Sequence, residues 1–381
     1  MIELRIDSLA AGGDGVGRAD DGRVVFVPFA APGDRVRVRI VEERARHARG
    51  EIDALLEPGA ARAEPRCPVF GDCGGCAWQH VRYEAQIEAK RAIIRDALAR
   101  IGGLRALPDL AFTASPQPYA YRSRARVLAA AGRVGFRRRR SHEVCAVSGC
   151  PLLAPALDRA LGALAADPPG ADGEWELALG EGGAVRCAAL AAPRPADRLA
   201  LQAGADRLEV SAGVFVQANA LLLGALAEAV LAAMGEGGEA LELFAGAGFF
   251  TLGLARRFAR VVAVEADPAA ARDLVRNAAG RHVRVIEARV EAWLEAGGAA
   301  GLAPDAVLLD PPRGGLGRTA AERLAALAAR RIAHLSCDPA TLARDLAVLA
   351  GRGWSLTRLR GFDLFPQTPH VEVLAVLERA G

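Results

Sequence analysis

The stretch Leu241-Glu242-Leu243-Phe244-Ala245-Gly246-Ala247-Gly248-Phe249-Phe250-Thr251 decides the fold. Leu241 to Phe244 reads as a strand, and the helical stretch Thr251 to Arg257 follows the two glycines. An E-x-x-x-G-x-G loop placed between a strand and a helix lets the backbone approach a nucleotide-like ligand. A second strand, Val261 to Glu265, ends in an acid nineteen positions after Gly246, well placed to accept from ribose hydroxyls. A dinucleotide site would carry a third glycine where Phe249, Phe250 and Thr251 stand, so the loop favours S-adenosylmethionine.

Outward from this loop, Val283 to Glu287, Ala306 to Asp310 and Ile332 to Ser336 are strand-like, with alanine-rich helical stretches between them. The alternation implies an α/β, Rossmann-like, doubly wound parallel sheet over residues 209–381. Ligands sit at the carboxyl edge of such a sheet. Two further motifs fall there: Asp310-Pro311-Pro312-Arg313 after the fourth strand, and Cys337 after the fifth, beside a helix N-terminus that favours thiolate. Asp310 can position the donor and a base, and Arg313 can hold a phosphate or a carbonyl charge. Val214 to Met234 reads as a strand and then a buried helix, interrupted by Gln217, Asn219 and Glu228, and not as a membrane span.

The 381 residues exceed what one core usually holds. Hydrophobic residues make up 52%, but alanine supplies much of this and charges recur throughout, which points away from a membrane protein. The N-terminus alternates Ile2, Leu4, Ile6 with polar residues and lacks a leader pattern, so a soluble cytoplasmic protein is expected, acting as a monomer. Net charge is only +3, yet eight arginines against one acid lie between Tyr119 and Cys150, an excess that can track a phosphate backbone or form a solvated hairpin. Lys90 is the only lysine.

Residues 1–57 read as short strands with glycine turns, a small barrel in which Arg35, Arg37 and Arg39 point outward to phosphate or water. Residues 58–208 form a central segment whose helix, about 79–111, can pack on the catalytic domain. Cys67, Cys73 and Cys76 share a glycine-rich turn, a spacing that suits zinc or iron-sulfur, with Cys150 or Cys145 as fourth ligand. Cys187 lies in an apolar run and is expected in the core.

Ile6 to Ala10, Gly13-Asp14-Gly15-Val16-Gly17-Arg18, Val24 to Pro28 and Pro32-Gly33-Asp34 resemble a TRAM domain, an OB-like barrel. Cys73-Gly74-Gly75-Cys76-Ala77-Trp78-Gln79-His80, continuing to Tyr83, Gln86 and Lys90, resembles the cluster segment of bacterial 23S rRNA uracil-C5-methyltransferases. The resemblance implies a 4Fe-4S cluster on Cys67, Cys73, Cys76 and Cys150, the last in the Cys150-Pro151 pair, leaving Cys145 as spectator. It also implies donor contacts from Gln217 and Phe244, beside Gly246, Gly248, Glu265 and Asp310 of the loop and strand ends. Leu335 to Asp345 resembles the family's nucleophile motif, with Cys337 as nucleophile, and Pro369-His370-Val371-Glu372 its base motif, with Glu372 as general base. Phe249 and Arg289 depart from the family's asparagines.

Uracil carbon 5 is too weak a nucleophile to take a methyl unaided, so thiolate addition at carbon 6 and later proton removal from carbon 5 explain why a cysteine and a base are needed. The expected partner is RNA, in particular 23S rRNA, with transfer RNA as the alternative. A non-catalytic RNA-binding protein and a methyltransferase for DNA or small molecules are the rivals.

Overall fold

The structure, a computed structural model, describes residues 1–193 and 197–379. Strands β1 (Ile2–Leu9), β2 (Gly15–Arg18), β3 (Val24–Val27), β4 (Arg35–Glu43) and β5 (His47–Glu57) close into a barrel in the order β1-β2-β3-β5-β4. Alternation does the work: Leu4, Ile6, Val25, Val27, Val36 and Val38 fill the interior. The outward arginines are exposed and carry cross-strand ion pairs. Arg35 bonds Glu57 at 2.6 Å, Arg37 bonds Glu3 at 3.1 Å and Arg39 bonds Glu51 at 2.5 Å, a lattice of cross-strand ion pairs.

Helix α1 (Tyr83–Asp96) follows the cysteine turn and runs into one π-helical turn, Ala97–Ile101. Strand β6 (Leu110–Thr113) then leaves the central segment and pairs in parallel with a strand of the large C-terminal sheet. The helix expected over about 79–111 therefore ends well short of 111. The central sheet comprises β7 (Arg124–Ala130), β8 (Arg133–Arg137), β9 (Val144–Ala146), β10 (Gly173–Leu179) and β11 (Val185–Ala189), ordered β11-β10-β7-β8-β9. Helix α2 (Pro155–Ala166) covers it, with Leu157 and Leu161 in a core with Val127 and Leu177.

Cys187 departs from expectation. It lies on β11, but exposed, because the alternate residue Arg186 turns inward to share the buried Glu176 with Arg124. One position of strand parity decides which side chain is buried.

A hairpin, β12 (Arg198–Ala203) and β13 (Asp206–Ser211), precedes α3 (Leu223–Met234). No strand lies between Ala212 and Leu222; that segment is an extended loop in which Asn219 is buried, forms an isolated bridge with Arg122 and donates through Nδ2 to Ser115 Oγ at 3.1 Å. The large sheet then forms from β14 (Gly237–Leu243), β15 (Phe258–Glu265), β16 (Val283–Glu287), β17 (Ala306–Leu309), β18 (Arg331–Ser336), β19 (Trp354–Phe362) and β20 (Glu372–Arg379). Its order is β16-β15-β14-β17-β18-β20-β19-β6, parallel through β18 and antiparallel at β20. Helices α4 (Thr251–Leu254), α5 (Pro268–Asn277), α6 (Val290–Glu295), α7 (Arg318–Ala325) and α8 (Pro339–Ala350) connect the parallel strands and the β18–β19 crossing. The helix expected from Thr251 to Arg257 closes at Leu254, where Arg257 N donates back to the Leu254 carbonyl and tightens the turn. Reversal of direction at β20 brings the end of β18 and the start of β20 to one edge.

Candidate active site

The glycine loop after β14 is held open by its backbone. Phe244 adopts φ 63°, Gly246 φ 57° and Gly248 φ 95°. A Cβ on Gly248 would meet Leu274 Cδ1 at 2.8 Å, whereas one on Gly246 would meet nothing within 4 Å. The loop is therefore tight on its protein side at Gly248 and open at Gly246, as close approach by a ligand requires.

Glu265 does two jobs there. Its carboxylate accepts from Gly246 N at 2.7 Å and from Asp267 N at 2.7 Å, which fixes the loop and still leaves acceptor lone pairs. Glu242 enters the sequence reading only as a letter of the motif. It is buried, accepts from Thr251 Oγ1 at 2.5 Å, and burial pushes its carboxyl up to about 8, with Asp310 and Glu265 adding to the rise. A cationic donor suits an edge so rich in carboxyl groups.

Gln217 sits on a different wall. With Arg124, Leu199, Leu201 and Leu223 it lines a cavity of about 210 Å³ between the central sheet and the β12–β13 hairpin, and its buried Oε1 has no hydrogen-bond partner among the described residues. Its neighbour Val216 packs against Ala247 of the glycine loop.

Asp310, Cys337 and Glu372 come together at the carboxyl edge of the sheet. Asp310 follows β17, with its N donating to the Leu243 carbonyl at 3.4 Å, and burial pushes its carboxyl up to about 7. Ser336 pairs with Val373 at the end of the β18–β20 ladder, with Cys337 directly after Ser336 and Glu372 directly before Val373. Glu372 is 1% exposed, and neither carboxylate oxygen has a partner among the described residues. Burial, reinforced by Asp310, holds it well above the usual carboxylate range.

The helix N-terminus does not make Cys337 a ready thiolate. Asp338 caps α8, accepting from Ala340 N at 2.9 Å and Thr341 N at 3.0 Å, and so consumes the free donors. Burial, then Glu372 and Asp310, push the thiol up to about 11, against the opposing pull of Arg313. His370 lies 3.2 Å from Arg313 through Nε2, and burial, with Arg313 and Lys90, lowers it to about 4. It is thus neutral.

Cys67, Cys73, Cys76 and Cys150 line a second cavity, of about 30 Å³, with Phe136, Val147 and Leu152. Gly75 N donates to Cys73 Sγ at 3.4 Å and Gln79 Nε2 to Cys76 Sγ at 3.3 Å. Such donors suit thiolate sulfur in a metal centre. Burial pushes the Cys73 and Cys150 thiols up and that of Cys76 to about 12. Among the described residues no group of three or more His, Cys, Asp or Glu side chains converges to hold a metal ion. The four thiols ring a space instead. Cys145 stands outside it, its thiol 3.5 Å from Asp72.

Some residues around the site were not assigned a role from sequence. Asp363, Gln367 and Thr368 support the segment that leads to Glu372, and nothing in their spacing announces it. Lys90 carries two signals, its singularity and its place in the segment from Cys73 that resembles the family's cluster segment.

Residues 1–52 match the TRAM domain, and residues 196–293 and 300–380 match the tRNA (Uracil-5-)-methyltransferase family. The chain is 34% identical to the 23S rRNA (uracil(1939)-C(5))-methyltransferase RlmD of Pseudomonas putida, across 98% of this chain and 93% of that one. It is 32% identical to the protein of the same name from Edwardsiella ictaluri, across 100% of this chain and 96% of that one. The fold matches that of the Pyrococcus abyssi tRNA (uracil-54, C5)-methyltransferase in complex with S-adenosyl-L-homocysteine, with TM-score 0.77, 22% identity and coverage of 99% and 100%. No helix among the described residues is long and apolar enough to cross a membrane. With the TRAM barrel, the donor loop and the Cys337 edge in one chain, the protein belongs to the family of S-adenosylmethionine-dependent RNA uracil-C5-methyltransferases.

Proposed function

We propose that the enzyme methylates carbon 5 of a uridine in 23S rRNA through a covalent adduct on Cys337, with Glu372 as the base. The observation that carries this reading is that Cys337 and Glu372 flank the last pair of the β18–β20 ladder, where the thiol feels both Glu372 and Asp310. The relatives of P. putida and E. ictaluri favour ribosomal over transfer RNA.

In this mechanism the Cys337 thiol loses its proton to solvent as the pyrimidine arrives, with Arg313 favouring the thiolate. Sγ bonds to carbon 6, and the displaced electron pair moves onto the carbonyl oxygen at carbon 4. Carbon 5 of that enolate attacks the sulfonium methyl, and S-adenosylhomocysteine leaves. The Glu372 carboxylate takes the remaining hydrogen of carbon 5, the carbon 6–sulfur bond breaks, and the thiolate is regenerated. Gly246, Gly248 and Phe244 shape the donor's place, Glu265 accepts from its ribose, Asp310 lies between donor and base, and Gln217 supplies an acceptor from the neighbouring wall.

Cys67, Cys73, Cys76 and Cys150 fit a 4Fe-4S cluster, because thiols that ring a cavity suit a cube better than a single ion. The cluster would supply a rigid cross-link among these segments; methyl transfer consumes no electrons. The enzyme is proposed to act as a monomer, and an RNA substrate of this kind would be met in the cytoplasm.

The test is transfer from labelled donor to unmodified 23S rRNA and transfer RNA by wild type and Cys337→Ala, with the product mapped by nuclease digestion and mass spectrometry. Methyluridine in 23S rRNA, absent with the variant, is expected. Methylation confined to transfer RNA removes the substrate reading, and methylation that survives the substitution removes the covalent mechanism.

A further inference from the structure

Lys90 is the one lysine among 48 lysines and arginines, and it is fully buried. Its Nζ donates to Asp363 Oδ1 at 2.5 Å and to the Phe365 carbonyl at 3.0 Å. The same Phe365 carbonyl accepts from Thr368 Oγ1 at 2.8 Å, and Thr368 Oγ1 accepts from His370 N at 3.3 Å. A continuous run of bonds therefore joins the ammonium to a backbone amide two residues before Glu372.

The rest of this segment is braced from the same side. Gln86 Oε1 accepts from Gln367 N at 2.9 Å, and Tyr121 donates to the Pro366 carbonyl at 3.1 Å. Ala77 N and Trp78 N, next to Cys76, both donate to the Gln367 carbonyl at 3.0 Å. Gln367 is held at φ 68°, a left-handed conformation that a non-glycine residue keeps only when its surroundings impose it.

We propose that Lys90 is a positioning residue for the Glu372 strand, and that a compact ammonium is required because the buried site has no room for a guanidinium. The inference rests on Glu372 being the base. The chain otherwise uses arginine throughout, so a lysine at this fully buried position points to a steric demand. Among the described residues Glu372 has no side-chain bond to orient it, so its place is set by the backbone that leads to it.

The experiment follows formation and decay of the covalent protein–RNA adduct by rapid quench, with in-vitro-transcribed 23S rRNA and labelled donor. Wild type is compared with Lys90→Arg, Lys90→Met, the charge-free pair Lys90→Met with Asp363→Leu, and Glu372→Gln. In folded Lys90 variants the adduct forms at the wild-type rate but decays on the order of 100-fold more slowly, with KM for donor and RNA unchanged, and arginine does not rescue. A folded double variant with wild-type decay overturns the inference. Lysine-selective ¹⁵N labelling supplies a readout that needs no Lys90 variant: the single side-chain signal should move between wild type and Glu372→Gln, and an unmoved signal overturns the inference. If Glu372→Gln itself accumulates no adduct, the base reading fails instead.

Discussion

Cys337 directly follows Ser336, and Glu372 directly precedes Val373, the pair that ends the antiparallel ladder between β18 and β20. The thiol feels the carboxyl, which raises it, and the carboxyl has no bonding partner among the described residues. Replacing either group should therefore interrupt a different step. Cys337→Ala should form no RNA adduct. Glu372→Gln should form it and stall, with turnover lower by about 10²- to 10⁴-fold, the usual worth of a positioned base. Denaturing gels of enzyme incubated with RNA and donor check both, and an adduct-free Glu372→Gln would remove the assignment.

The titration of Asp310 gives a stability prediction with a definite sign. Its folded-state pKa, pushed up to about 7, lies above the ordinary value of 3.8. The unfolded chain thus ionises first, and the stability contributed by the protonated buried carboxyl is present at low pH and lost as pH rises through about 7. Asp310→Asn cannot ionise. Its melting temperature relative to wild type should climb from pH 4 to pH 8, and a difference independent of pH would contradict the assignment.

Activity should respond to pH through the thiol. Burial and two carboxyls raise Cys337 to about 11, so single-turnover adduct formation by the unliganded enzyme should increase with pH from neutral into the alkaline range. Arg313→Met removes the opposing charge and should shift that rise further upward. A rate flat across this range would show that the thiolate forms by another route.

The two loop glycines should fail differently. Gly248→Ala meets Leu274 Cδ1 at 2.8 Å in a left-handed backbone and should destabilise the fold by about 1–3 kcal/mol. Gly246→Ala meets nothing within 4 Å and should cost only about 1–2 kcal/mol from its backbone, while weakening binding of S-adenosylhomocysteine measured by calorimetry. Equal donor affinity in the two proteins would place the donor elsewhere.

Iron binding should follow the cavity and not the cysteine count. Anaerobically purified protein should carry iron that is lost on replacing Cys67, Cys73, Cys76 or Cys150 by serine but retained in Cys145→Ser, because only the first four line the space. Iron analysis and visible absorbance check this, and a Cys145 variant that loses iron would reassign the ligand.

The sequence by itself determined the five parallel strands β14 to β18, the glycine loop and the barrel, because each is written in local periodicity or in glycines that local geometry demands. Cys337 and Glu372 were nameable from motif resemblance. Other features are non-local. The inward turn of Arg186 that leaves Cys187 exposed depends on the partner Glu176, which selects the strand parity and lies ten residues away on β10. Entry of β6 into the C-terminal sheet depends on a pairing with β19 almost 250 residues away. The capping of α8 by Asp338 and the burial that raises Cys337 reverse what a helix N-terminus suggests in isolation. Only tertiary structure decided these, since desolvation and partner choice are properties of the neighbours that packing supplies.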